Sequence, residues 1–164
     1  MRAGFSADGY IIDQDHMGRY RYRGMSSDVN GCGWIAAYDL LHAQGYAVDH
    51  ETVYREMNAL FPRQIPGPTP VKKLMDYLAR YGDYKLTAGK KAALAAARTA
   101  GAGILRYWEE DVPHFVPFVR VGEGAYRFFN VNDGMEDLIC SMEDFFAGHC
   151  KRPLVRVITP GEGR

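Results

Sequence analysis

The spacing of apolar residues changes once along this chain, at Gly103, from a helical period to a period of two. Upstream, apolar residues recur at i, i+3, i+4 and i+7, the spacing that lays one face of a helix on a core. The first such segment begins at Cys32 and carries Trp34, Ala37, Tyr38 and Leu41, with Gly45 placed as its C-terminal cap. A second opens at Asp49 as N-cap, presents Val53, Met57 and Leu60, and stops before Pro62. In the third, Thr69 is the expected cap and Pro70 the first position of a helix through Val71, Leu74, Met75 and Leu78. An Ala-rich fourth segment, Lys90 to Arg98, is closed by Gly101 and Gly103. Downstream, β-branched and aromatic residues predict strands over 104–108, 114–121, 126–131 and 154–158. The middle pair is joined as a hairpin through Gly122-Glu123-Gly124-Ala125, and Ser141 followed by Asp144 predicts a short helix through Phe146. A helical half followed by an antiparallel β-sheet half is an α+β arrangement.

At 164 residues the chain fits one domain, 1–164, with residues 1–30 as an extended N-terminal arm carrying short strands near Tyr10–Ile12 and Tyr20–Arg23. Twenty basic residues balance twenty acidic ones, so no long-range field gathers nucleic acid or anionic lipid. The most basic stretch, Arg19-Tyr20-Arg21-Tyr22-Arg23, is short and predicts a solvated edge strand. No stretch approaches the roughly 20 apolar residues that span a bilayer, and the first eight residues lack the apolar core of a signal peptide. Cys32, Cys140 and Cys150 are too few and too irregularly spaced for a disulfide framework or a CxxC zinc site, which makes a reducing cytoplasm the expected location. His149 and Cys150 are adjacent without further ligands at metal-binding spacing, so neither metal nor cofactor is expected.

Gly31-Cys32-Gly33-Trp34 places a thiol at the start of a helix, where unpaired amides and the helix dipole stabilise a thiolate. The flanking glycines let the backbone turn sharply and let a substrate carbonyl approach the sulfur. Cys140 and Cys150 have no helix start beside them and are expected to be ordinary core or surface thiols. A thiol nucleophile needs a base, and histidine serves best near neutral pH. Of the five histidines, His16, His42, His50 and His149 are expected to be solvated or locally bonded. His114 opens the apolar strand Phe115-Val116-Pro117-Phe118-Val119, where an imidazole must find partners. An orienting group for that imidazole is expected at the far end of the hairpin, where Asn130, Asn132 and Asp133 all fall within geometric reach. The same Asn-Asp-Gly run is also what an ordinary turn contains.

With these residues identified, the sequence resembles the papain-like cysteine peptidases, most closely the bacterial group similar to bacteriocin-processing, double-glycine leader peptidases. The matching pieces are Gly31-Cys32-Gly33 opening a helix, His114-Phe115-Val116 opening a strand, Val131-Asn132-Asp133-Gly134 closing the hairpin, and Ser141-Met142-Glu143-Asp144-Phe145-Phe146 before the last strand, together spanning about 28–158. The resemblance implies a papain-like fold with Cys32, His114 and Asp133 as catalytic residues, although Gly134 stands where that family has proline. Such peptidases carry a glutamine six residues before the cysteine, whose amide shares the oxyanion with the cysteine N–H. Here that position is Ser26. Asn30 is the candidate substitute and Gln14 a more remote one; loss of one such donor costs on the order of 100–1,000-fold in rate.

The expected activity is a thiol hydrolase that cleaves a peptide or isopeptide bond through an acyl-enzyme on Cys32. A papain-like module that binds peptides without turnover, and an acyltransferase of the same fold, are the alternatives. The expected partner is a peptide or protein substrate, with neither nucleic acid nor membrane.

Overall fold

A computed structural model describes residues 2–131 and 138–161. The first thirty residues fold as a series of small anchors instead of an extended arm. Phe5 and Ile11 form a single β-bridge, a 3-10 turn spans Gln14–Met17, and β1 (Arg21–Tyr22) pairs with β2 (Met25–Ser26) around Arg23 and Gly24, both at positive φ. Ile11, Met17, Tyr20 and Tyr22 are all buried in the core beneath the helices. They lack a common period because each is inserted from a different turn, which is why no sustained element is legible there. Asp39, buried within the first long helix, accepts the Ile11 N–H at 2.8 Å and so ties this segment to the helical layer. Burial holds its carboxyl well above the usual carboxylate range despite that hydrogen bond.

The helical half follows as α1 (Ser27–Asn30), α2 (Cys32–Ala43), α3 (His50–Asn58) and α4 (Val71–Leu78). Asp49 caps α3 as expected, its Oδ1 accepting the Thr52 N–H at 2.7 Å. Thr69 caps nothing. It is buried, its Oγ1 shares a 2.7 Å hydrogen bond with the Tyr22 hydroxyl, and Pro70 takes the N-cap position of α4.

The sheet half contains β3 (Tyr84–Ala88), α5 (Lys90–Thr99), β4 (Ala102–Glu109), β5 (Val112–Gly122), β6 (Ala125–Phe128), β7 (Leu138–Cys140), α6 (Met142–His149) and β8 (Arg156–Pro160). The six strands are antiparallel throughout, in the order β3-β8-β4-β5-β6-β7. Ile104, Phe115 and Ile158 face the cluster built on α2, whereas their neighbours Leu105, Val116 and Val157 face α5 and α6. Helices thus cover both faces, which is why β5 has a continuous apolar run instead of an alternating one. Nothing in the sequence announces β3, because this edge strand is only half buried and shows no clear alternation. The last strand begins two residues later than expected: Leu154 is exposed, and β8 gains Thr159 and Pro160 by pairing with β3. Ser141 caps α6 as expected, accepting the Asp144 N–H at 3.0 Å.

Candidate functional site

α2 is the central helix of the molecule, buried along Cys32–Leu41 and packed on β5. Cys32 is its first residue and Gly31 occupies the N-cap. The structure gives the two flanking glycines a role different from the one expected. Neither has a backbone conformation that demands glycine, and the requirement is space. A Cβ on Gly33 would lie 2.1 Å from Thr69 Oγ1, and one on Gly31 would lie 2.6 Å from the Ser27 carbonyl oxygen. Gly33 therefore lets the segment before α4 press directly on the first turn of α2. The same turn is fixed from behind by Trp34, whose Nε1–H donates to Ser27 Oγ at 3.0 Å, while Ser27 donates to the Tyr20 carbonyl at 2.5 Å.

β5 brings His114 to this turn. The His114 side chain and the backbone N–H of Phe115, the next residue on the strand, both act on the Cys32 sulfur and stabilise its thiolate. The other side of the imidazole is held by a backbone group, since Nε2 lies 2.9 Å from the Asn130 carbonyl oxygen. A carbonyl only accepts, so Nε2 carries a hydrogen and Nδ1 is left to face the thiol. Burial alone would raise the Cys32 thiol, but the hydrogen bond and charge of His114, with the N–H groups of Phe115 and of Cys32 itself, outweigh it and lower the pKa. Burial likewise disfavours the imidazolium, yet the Cys32 hydrogen bond and charge, the Asn130 carbonyl and Glu109 raise His114 to about 9. The two opposite shifts favour a thiolate–imidazolium pair. Chemically, such a pair supplies a sulfur nucleophile and its proton donor.

His114 forms part of the wall of a cleft of about 510 Å³ that Cys32 itself does not line. Asp13, Asp15, Glu109 and Glu110 line it, with no Lys or Arg among the described lining residues, and Val29 and Val112 stand in it at 62% and 61% exposure. Trp34 and Tyr107 are fully buried core residues.

The other expected site residues divide into three groups. Asn30 is buried and spends its amide on the Tyr22 carbonyl at 3.1 Å and the Gly67 carbonyl at 3.4 Å, so both hydrogens are directed into the protein and away from an oxyanion. Ser26 donates to the Gly18 carbonyl at 2.7 Å. Asn130 does reach His114, but through its main chain: it adopts φ 55°, and its side chain turns the other way to pair with Gln14. Asn132 and Asp133 lie outside the described residues. The contact that sequence reasoning missed is that pairing, because Gln14 and Asn130 are 116 residues apart and neither belongs to a periodic element.

This is the fold of a papain-like cysteine peptidase domain: a thiol opening a buried central helix, set against an imidazole on an antiparallel sheet. Among solved structures, the peptidase domain of Streptococcus ComA, a bi-functional ABC transporter involved in a quorum-sensing pathway, superposes with a TM-score of 0.57 over 82% of this chain and 94% of that domain, at 9% sequence identity. No protein-family model matches the sequence, and no curated protein matches it significantly. Among the described residues, no helix is long and apolar enough to cross a membrane.

Proposed function

We propose that this protein is a thiol hydrolase that cleaves a peptide or isopeptide bond through an acyl-enzyme on Cys32. The observation that carries the proposal is the placement of Cys32 as the first residue of α2 beside His114 of β5, whose Nε2 is held by the Asn130 carbonyl. Cys32 Sγ attacks the scissile carbonyl as thiolate. The imidazolium of His114 gives its Nδ1 proton to the departing amine, and the neutral ring then takes a proton from the water that hydrolyses the thioester. The Asn130 carbonyl keeps the hydrogen of His114 on Nε2 throughout, the orienting task expected from sequence of Asp133, Asn132 or Asn130. The Cys32 N–H, at the N-terminal end of α2 where the helix amides lack intrahelical partners, is the donor for the developing oxyanion.

The pH dependence follows from the two shifts. On the acid side the rate falls as the thiolate is protonated, below the ordinary thiol range because Cys32 is lowered. On the alkaline side it falls as His114 loses the proton that the leaving amine needs, near pH 9. The acidic, partly apolar cleft suits a peptide with basic and aliphatic residues beside the scissile bond.

One observation favours a second function, a peptide-binding module without turnover: Ser26, at the position of the expected oxyanion amide, and Asn30, its candidate substitute, are both bonded elsewhere. Incubation with an activated peptide ester separates the two. A hydrolase gives a product burst and a mass increase on Cys32 that decays in time and is missing in Cys32→Ala. A binding module retains the peptide in both forms with no adduct. An adduct that passes to an added amine in preference to water identifies an acyltransferase.

A further inference from the structure

We propose that Gln14 is a positioning residue for the Cys32–His114 pair, holding Asn130 so that its carbonyl fixes the imidazole. This presupposes the hydrolase chemistry proposed for that pair. Gln14 and Asn130 are joined twice: the Gln14 backbone N–H donates to Asn130 Oδ1 at 2.9 Å, and Asn130 Nδ2 donates to Gln14 Oε1 at 2.9 Å. The orientation of both amides is set by main-chain groups, because a backbone N–H requires the oxygen of Asn130 and the Asp28 carbonyl requires the nitrogen of Gln14, which it meets at 2.9 Å. Gln14 thereby bridges the two halves of the site. Asp28 lies in α1, the turn that leads into Cys32, and Asn130 stands behind His114.

Asn130 needs such a hold. It is 5% exposed and sits at φ 55°, a left-handed conformation that asparagine tolerates but that costs more than the ordinary one. In that conformation its carbonyl meets Nε2 of His114, and its side chain is free to turn to Gln14. Without the Gln14 side chain the buried Asn130 amide keeps the Gln14 backbone N–H on its oxygen but loses the acceptor for its Nδ2, and the left-handed residue is held less firmly. The consequence at the site is a loss of tautomer control: a ring whose hydrogen is not held on Nε2 places it on Nδ1 part of the time, where it cannot accept the thiol proton.

The test is the pH profile of Cys32 alkylation by iodoacetamide in the full chain and in Gln14→Ala and Gln14→Met, with thermal melting measured alongside. The expected result is that labelling at pH 6 slows about tenfold in both variants, while the rates at pH 10, where the thiol ionises without help, coincide with the parent. A residue that merely supports the fold lowers the melting temperature without moving the pH profile, and that outcome overturns the proposal. Asn130→Asp, which keeps the acceptor for the Gln14 N–H and removes the donor to Oε1, gives a smaller shift in the same direction. Should neither Gln14 variant fold, an unshifted profile in Asn130→Asp overturns it equally. A second readout does not depend on thiol reactivity. In Cys32→Ala the His114 ring nitrogens, followed by 15N NMR at pH 8, report the Nε2–H form when Gln14 is present, and a mixture when Gln14→Ala is added. Unchanged ring shifts refute the positioning role alone, whereas a parent Cys32 that labels no faster than Cys140 at pH 6 refutes the hydrolase chemistry beneath it.

Discussion

Two buried thiols stand at opposite ends of helices in this protein, and they differ in almost everything except burial. Cys32 opens α2 at 7% exposure, and Cys150 closes α6 with none. Burial pushes Cys150 up to about 12, with only the distant charge of Lys90 opposing it. At Cys32 the same penalty is outweighed by an imidazole and two N–H groups. The start of a helix offers unpaired N–H donors and the end offers carbonyls, so a thiolate is favoured at one and disfavoured at the other. His149 is next to Cys150 in sequence, yet its ring stacks on Phe145 at 4.4 Å between centroids. His114 is 82 residues from Cys32 and lowers its thiol. The imidazole that acts on the Cys32 thiol is carried across the fold on a strand, and adjacency along the chain contributes nothing.

The largest expected effect lies in that contrast. At pH 6 iodoacetamide labels Cys32 well ahead of Cys150 and Cys140, and His114→Ala slows Cys32 about a hundredfold, towards the behaviour of an ordinary thiol. Equal labelling of the three thiols, measured by peptide mapping, breaks the comparison outright. Next in size is packing at the two helix ends. Gly33→Ala drives a Cβ into Thr69 and is expected to lower stability by about 1–3 kcal/mol in urea unfolding. The smallest effect has the opposite sign: at Gly148, in the last turn of α6, a Cβ would meet nothing within 4 Å, so Gly148→Ala raises stability by about 0.5–1 kcal/mol through helix propensity. If the two glycine variants shift the urea midpoint alike, the first turn of α2 is not under the compression inferred for it.

Legibility followed the range of each interaction. The start of α2 at Cys32, the caps at Asp49 and Ser141, and the hairpin of β5 and β6 were evident from the sequence, since each is encoded within a few neighbouring residues. The α+β order was legible for the same reason. β3 was not, because an exposed edge strand needs no apolar alternation. Thr69 has the residue type and position of a cap but bonds to Tyr22, a partner 47 residues away.

The sequence by itself determined which side chains were available for thiol chemistry and where the helix and strand that carry them begin, because periodicity and capping are local properties of the chain. Tertiary structure alone decided how those groups are held. The partner of the His114 Nε2 is a main-chain carbonyl, and every residue has one, so no choice of amino acid announces it. Gln14 reaches that carbonyl's residue from 116 positions away, Asp39 anchors the Ile11 N–H from 28, and Asn30, a plausible oxyanion donor by type and position, is turned inward by the Tyr22 and Gly67 carbonyls. Each of these depends on two distant backbones meeting at hydrogen-bond distance, and only the folded chain brings them there.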